Sequence, residues 1–115
     1  MVTIVNLTPH KLSILDIHGN KKNLPPSGMV ARINEEKVLK TNIFDMDLGE
    51  FEVATTVVHD IIDLPEENER PNTIYVVSKP VAMVIDKDRS DIYYPGELIR
   101  DCKGNVVCCN GLCRY

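Results

Sequence analysis

The sequence has no Trp and few aromatic residues of any kind. Its two Phe and four Tyr are too few for the row of stacking side chains with which proteins hold single-stranded nucleic acid. Basic residues are also scarce, because thirteen Lys and Arg stand against seventeen Asp and Glu and the formal net charge is -4. Sequence-independent binding to duplex DNA requires neutralisation of several phosphates. We therefore expect no duplex nucleic acid partner.

Long apolar runs are missing as well. No stretch approaches the roughly eighteen apolar residues that cross a bilayer, and the N-terminus lacks the basic start and apolar run of a secretory signal. We therefore expect a cytoplasmic protein with no membrane partner. Cysteines in that compartment are reduced thiols, and here they are Cys102, Cys108, Cys109 and Cys113.

Motifs of catalysis and metal binding are the third absence. The cysteine spacing contains no C-x-x-C or C-x-x-H pair, which structural zinc sites use. No H-x-x-x-H, H-E-x-x-H or G-x-S-x-G string occurs, and the glycines are isolated. We predict no catalytic residue, no metal and no cofactor, with the cysteines as packing residues. A hydrolase that pairs Cys108 or Cys109 with a distant histidine, or binds a metal, is an alternative.

The residues that are present form a β pattern. At 115 residues we expect one domain, residues 1–115. Short β-branched runs alternate with Pro, Gly and Asn. They predict strands at 3–6, 12–17, 29–33, 37–41, 51–59, 73–77, 98–102 and 106–109. The fold class is mostly β, α+β at most: a small antiparallel sheet or a barrel-like sandwich of hairpins with one short helix.

Turn residues define the connections. Hairpins are predicted over 12–24, around His18-Gly19-Asn20, and over 98–109, around Lys103-Gly104-Asn105. Other breaks are predicted at 42–49, 64–72 and Tyr94-Pro95-Gly96. The strand at 73–77 is apolar on both faces, which indicates a position at the centre of the sheet or between layers.

A short helix is predicted after that strand. Ser78 is its expected cap, with Pro80 in its first turn. Its inner side is expected to carry Val81, Ala82, Val84 and Ile85.

Charge is distributed unevenly along the chain. Residues 41–69 contain nine acids and no Lys or Arg, which leaves an excess of +5 in the remainder. Two interpretations are open. The acidic stretch is either a solvated loop and strand face, or a surface through which protomers dock acidic side to basic side and leave an electropositive pocket elsewhere.

Two arginines are the candidate ligand-binding residues. Arg32 and Arg100 each follow apolar residues in predicted strands, and the planar arginine fork suits phosphate. The alternative is an outward strand residue paired with a neighbour such as Asp101. Neutral hydrogen bonds are expected from Asn6 and Ser27, unless these side chains only stabilise turns. Base contacts are expected from Tyr93 or Tyr94.

Several segments resemble, in order, a set of small phage and prophage proteins, mostly without an assigned activity. They are Val5-Asn6-Leu7-Thr8-Pro9-His10, Pro26-Ser27-Gly28-Met29-Val30-Ala31-Arg32, Thr73-Ile74-Tyr75-Val76-Val77-Ser78 and Arg100-Asp101. This resemblance implies a bacterial host cell as the setting.

The size, the β-rich make-up and the paired arginines also resemble counter-defence sponges of the anti-Thoeris kind. Such proteins sequester a cyclic ADP-ribose signal or cyclic oligonucleotides without cleaving them. The resemblance implies a non-enzymatic homo-oligomer that binds a small phosphorylated ligand near a protomer interface. The alternative is an interaction protein whose acidic stretch inhibits a host defence enzyme by surface mimicry.

Overall fold

The computed structural model describes the backbone of residues 1–115 and every side chain except that of Leu39. Strands occupy 53% of the chain and helix about 5%, which confirms the mostly β fold with one short helix. The strands are β1 (Thr3–Asn6), β2 (Leu12–Leu15), β3 (Lys21–Leu24), β4 (Arg32–Asp45), β5 (Gly49–Ile62), β6 (Thr73–Val76), β7 (Ile92–Arg100) and β8 (Val106–Cys113), and the helix is α1 (Lys79–Val84). Within residues 1–115, no helix is long and apolar enough to span a membrane.

The chain divides into two compact units. The first, here called the sheet unit, comprises Met1–Arg32 and Asp63–Tyr115. The second, here called the ribbon, is Ile33–Ile62. The ribbon is built from β4 and β5, which are each 14 residues long and form a two-stranded sheet of their own.

The sheet unit contains a six-stranded sheet in the order β1-β6-β7-β8-β2-β3. This sheet is mixed: β1, β6 and β7 run parallel, whereas β7 pairs antiparallel with β8 and β2 antiparallel with β3. Parallel neighbours need a crossover connection, and α1 lies in the connection from β6 to β7. Both hairpins predicted from turn residues are present.

The turns of the two hairpins share the pattern Asp-x-x-Gly-Asn. Asp16-Ile17-His18-Gly19-Asn20 joins β2 to β3, and Asp101-Cys102-Lys103-Gly104-Asn105 joins β7 to β8. In each, the Asp side chain accepts hydrogen bonds from two backbone amides, and the glycine takes a positive φ of 81° or 85°. The Asx geometry explains why the sequence predicts these turns correctly.

The core lies around β6. Tyr75, Val76 and Val77 are buried together with Leu7, as expected for a strand that is apolar on both faces. Strand β6 is not at the centre of the sheet but second in the order, between β1 and β7. Helix α1 covers this region with Val81 and Ala82, and Ile85 is also buried.

Helix α1 differs from prediction in two details. Ser78 holds the N-cap position without a side-chain capping hydrogen bond, and Pro80 lies in the first turn. Val84 is predicted on the inner side but is exposed, whereas Ile85, one residue beyond the end of the helix, is buried.

The turn predicted at Tyr94-Pro95-Gly96 is wrong, because these residues lie inside β7. Pro95 is paired with Leu112 of β8. A Cβ at Gly96 would overlap the carbonyl oxygen of Asn110. The glycine therefore permits close approach of β8 and does not mark a chain reversal.

The ribbon corrects two more predictions. Residues 42–49 were expected to be a loop, yet β4 continues to Asp45 and only residues 46–48 form the turn. The Asp45 carboxylate accepts hydrogen bonds from the amides of Asp47 and Leu48, which closes the reversal within so few residues. The strand predicted at 29–33 begins only at Arg32, and the segments at 37–41 and 51–59 belong to the longer β4 and β5.

Candidate ligand-binding cleft

A cleft of about 650 Å³ lies in the sheet unit. Its volume falls within the range of about 300–1,000 Å³ that is usual for small-molecule sites. The lining comes from the β1–β2 connection, the residues around the start of α1, the middle of β7 and the end of β8. It consists of Thr8, Pro9, His10, Leu12, Ser78, Lys79, Tyr94, Pro95, Gly96, Glu97, Leu98 and Cys113.

Sheet pairing explains why these segments meet. Strands β1 and β6 are parallel, with Asn6 opposite Val76. Their carboxyl ends therefore lie at the same edge of the sheet, and the residues that follow each strand lie side by side. His10 follows β1 and Lys79 follows β6, so this pairing brings two basic side chains to one cleft.

Asn6 fixes the wall formed by the β1–β2 connection. Its amide nitrogen donates to the carbonyl oxygens of His10 (2.8 Å) and Leu24 (3.1 Å). Its Oδ1 accepts from the backbone amide (2.9 Å) and the hydroxyl (2.6 Å) of Thr8. Both donors and both acceptor positions of the amide are thus occupied within the protein. Asn6, predicted as a ligand contact, holds the cleft wall in place.

Tyr94 lies on another part of the lining. Its ring stacks on that of Tyr115, with centroids 4.8 Å apart and 24° between the planes. Removal from solvent raises the pKa of the Tyr94 phenol, and a hydrogen bond with Tyr115 raises it further. The phenol is therefore neutral at physiological pH and presents an uncharged aromatic surface. Tyr93, its neighbour in β7, does not line this cleft.

The predicted arginines lie elsewhere. The guanidinium of Arg100 donates to the carbonyl oxygen of Gly104 (2.9 Å), in the turn between β7 and β8. Arg32 begins β4 and follows Ala31, whose amide donates to the carbonyl oxygen of Leu7 (3.0 Å). Neither arginine lines the cleft.

Arg32 and Arg100 lie in different parts of the sheet unit. Leu7 donates to Val76, and Val76 is paired with Tyr93 near the start of β7. Arg100 ends that strand seven residues later, which corresponds to about 23 Å of extended chain at roughly 3.3 Å per residue. Ser27 lies close to Asn6, because the Ser27 amide donates to the carbonyl oxygen of Asn6 (3.1 Å). The structure thus groups Asn6, Ser27 and Arg32 and places Arg100 apart from them.

A buried ion pair was missed in the sequence. Arg89 Nε lies 2.7 Å from Asp91 Oδ1, with the two side chains only 14% and 11% exposed. Arg89 also donates to the carbonyl oxygen of Pro65, and the Glu67 carboxylate accepts from the amide of Ser90 (2.8 Å). These contacts attach the 64–72 loop to the segment before β7. The only signal in the sequence was the Arg-x-Asp spacing next to a β-rich run.

The acidic stretch at 41–69 belongs to both units. Asp45, Asp47, Glu50, Glu52 and Asp60 lie in the ribbon, and Asp63, Glu66, Glu67 and Glu69 lie in the sheet unit. Several of these carboxylates already have partners within their own unit: Glu50 accepts from Asn42, Glu52 pairs with Lys40, and Glu69 accepts from the amide of Glu66.

The cysteines are all free thiols. Cys109 is buried in β8, and that burial raises the pKa of its thiol. A thiol with a raised pKa carries little thiolate at neutral pH, which disfavours Cys109 as a nucleophile. Among the described side chains, no group of three His, Cys, Asp or Glu is arranged to hold a metal ion.

No family model, curated protein or solved structure matches this chain.

Proposed function

We propose that this protein binds a small phosphorylated ligand of the nucleotide type in the cleft and holds it without cleaving it. The observation that carries the proposal is the composition of one cleft of about 650 Å³. That cleft combines an aromatic surface at Tyr94, two basic side chains at His10 and Lys79, and apolar contacts from Leu12 and Leu98. A cyclic nucleotide or a cyclic ADP-ribose signal presents the complementary groups.

Each part of the lining has a role in this proposal. The neutral ring of Tyr94 stacks on the base, an interaction that tolerates different bases because every base has a π face. The Lys79 ammonium neutralises phosphate, and the His10 imidazole donates a hydrogen bond to a phosphate oxygen. The Glu97 carboxylate accepts a hydrogen bond from a ribose hydroxyl or an exocyclic amine.

The proposal changes which residues contact phosphate. The sequence predicts Arg32 and Arg100 for this role, but neither lines the cleft, whereas Lys79 and His10 both do. Arg100 instead stabilises the β7–β8 turn through Gly104. In the proposed setting, the cytoplasm of a bacterial host cell, sequestration of the signal is the whole activity, so no group has to activate water.

Isothermal titration with cyclic ADP-ribose isomers and with cyclic di- and trinucleotides tests the proposal. The variants Tyr94→Leu and Lys79→Ala are compared with Arg100→Ala, which removes a cation outside the cleft. We expect one ligand class to bind the wild type and Arg100→Ala equally and the two cleft variants at least tenfold more weakly, since one lost stacking or charged contact is worth about 1–3 kcal/mol.

Mass spectrometry of the ligand released by denaturation separates a binder from an enzyme. Recovery of the intact ligand supports sequestration. Recovery of a hydrolysed product, or the absence of binding to every nucleotide tested, would contradict the proposal.

A further inference from the structure

A second recess adjoins the cleft. It has a volume of about 260 Å³ and shares Leu12, Pro95 and Leu98 with the cleft lining. The rest of its wall comes from the start of β2 and from β8, and consists of Lys11, Ser13, Val106, Val107, Cys108 and Cys109. The cleft and this recess, here called the side recess, therefore form one continuous groove.

Sheet pairing explains the direction in which the groove continues. Cys109 of β8 is paired with Leu98 of β7 on one side and with Ile14 of β2 on the other. These three strands are neighbours in the sheet. Along β7 the lining passes from Tyr94, in the cleft, to Leu98, which borders both cavities.

The side recess repeats the chemistry of the cleft. The cleft combines Lys79 with the ring of Tyr94, and the side recess combines Lys11 with Val106 and Val107, whose apolar side chains are exposed. Among the described side chains, no carboxylate forms an ion pair with either lysine. Each cavity therefore offers one ammonium group for a phosphate and one apolar surface for a base.

We infer that the ligand of this groove is a cyclic dinucleotide, with one nucleotide in the cleft and the other in the side recess, an inference that rests on the proposed function. One base stacks on Tyr94, and the other packs on Val106 and Val107. Lys79 and Lys11 each neutralise one of the two phosphodiesters.

The placement of basic residues in both cavities favours this ligand over an isomer of cyclic ADP-ribose. His10 and Lys11 are adjacent in the chain, yet His10 lines the cleft and Lys11 lines the side recess. In a cyclic dinucleotide the sugars hold the two phosphodiesters apart, whereas in cyclic ADP-ribose both phosphates form one pyrophosphate and there is only one base. Cyclic ADP-ribose would therefore leave the apolar wall of the side recess uncovered and lose the free energy of burying it.

Isothermal titration of the full chain compares each cyclic dinucleotide with the cyclic mononucleotide of the same base. The pairs are cyclic di-AMP with cyclic AMP and cyclic di-GMP with cyclic GMP. We expect at least one dinucleotide to bind about tenfold or more tightly than its mononucleotide and than cyclic ADP-ribose, since the second nucleotide adds a charged contact and a base contact.

Variants of the side recess test where the second nucleotide binds. Lys11→Ala removes the phosphate contact and Val107→Asp places a carboxylate against the ligand, so each should reduce the preference for dinucleotide over mononucleotide roughly fivefold or more. The matched control is Lys21→Ala, at an exposed lysine of β3 that lines neither cavity. It should leave the preference within about twofold of the wild type, as is typical of residues outside a binding site.

The outcomes separate this inference from the proposed function. Equal affinity for dinucleotide and mononucleotide, tighter binding of cyclic ADP-ribose, or an unchanged preference in Lys11→Ala and Val107→Asp would each overturn the inference. The proposed function survives these results if Tyr94→Leu and Lys79→Ala weaken the nucleotide that binds best. Absence of binding to every nucleotide contradicts the proposed function itself, and the inference with it.

Discussion

Tyr94 in β7 stacks on Tyr115, with ring centroids 4.8 Å apart. Aromatic pairs of this kind contribute about 0.5–1.5 kcal/mol beyond the burial of their surface. The stack holds the ring of Tyr94, which lines the cleft, against Tyr115, which does not line it. An aromatic side chain held in this way loses little conformational entropy when a ligand base packs against it.

The Arg89–Asp91 pair should contribute strongly to stability. Removing one partner of a largely buried pair leaves the other charge uncompensated. We expect Arg89→Met to lower the free energy of unfolding by about 3 kcal/mol, as measured by urea denaturation. Lys40→Met, which breaks an exposed pair with Glu52, should cost less than about 1 kcal/mol. Equal losses of unfolding free energy in the two variants would contradict a larger contribution from the buried pair.

Asn6 should matter for the shape of the cleft as well as for stability. Asn6→Ala removes four hydrogen bonds from a residue that is 1% exposed and leaves buried groups unpaired. We expect a loss of about 2–4 kcal/mol in urea denaturation. Ser27→Ala, at an exposed position, serves as the comparison and should change stability by less than about 0.5 kcal/mol. If Asn6→Ala lowers the free energy of unfolding no more than Ser27→Ala does, the β1–β2 connection keeps its conformation without the Asn6 amide.

Gly96 should tolerate no side chain. Because a Cβ there would overlap the Asn110 carbonyl oxygen, we expect Gly96→Ala to cost about 1–3 kcal/mol by forcing β7 and β8 apart. Gly104→Ala adds a Cβ where space is open but φ is +85°, so it should cost only about 1 kcal/mol. Thermal unfolding of both variants measures the difference. The reverse order of stability would contradict the close approach of the strands.

The aspartates of the two hairpin turns should make stability depend on pH. Hydrogen bonds from the amides of Asn105 and Lys103 lower the pKa of the Asp101 carboxyl, and Asn20 and His18 do the same for Asp16. A lowered folded-state pKa gives stability that is present above the unfolded value, here near 3.8, and is lost as pH falls through the folded value.

The test is to follow the urea midpoint of the wild type and of Asp101→Asn from neutral pH to below pH 4. Asn keeps the acceptor oxygen and cannot titrate. The wild type should be the more stable at neutral pH, and the difference should shrink in acid. A difference that stays constant with pH would rule out a contribution from the charged form.

The parts of the fold that the sequence predicts correctly are local. The Asp-x-x-Gly-Asn turns identify both hairpins because their geometry is encoded within five residues. The burial of β6 follows from its apolar residues on both faces. Each of these features depends only on neighbours along the chain.

The cleft depends on contacts that are distant in sequence, and the residues give no direct sign of them. Nothing in the strand at 3–6 indicates that it pairs in parallel with the strand at 73–76, yet that pairing is what brings His10 to Lys79. The turn predicted at Gly96 is wrong for a related reason. Pro-Gly usually marks a turn, and only the neighbouring β8 explains why glycine is needed within a strand.

Binding in the cleft is tested by titration of a cyclic nucleotide or cyclic ADP-ribose isomer into the wild type, Tyr94→Leu, Lys79→Ala and Arg100→Ala. If the ligand binds in the cleft, the first two variants bind at least tenfold more weakly, in line with about 1–3 kcal/mol per contact, and Arg100→Ala matches the wild type. Loss of binding in Arg100→Ala with full binding in Tyr94→Leu would contradict the account.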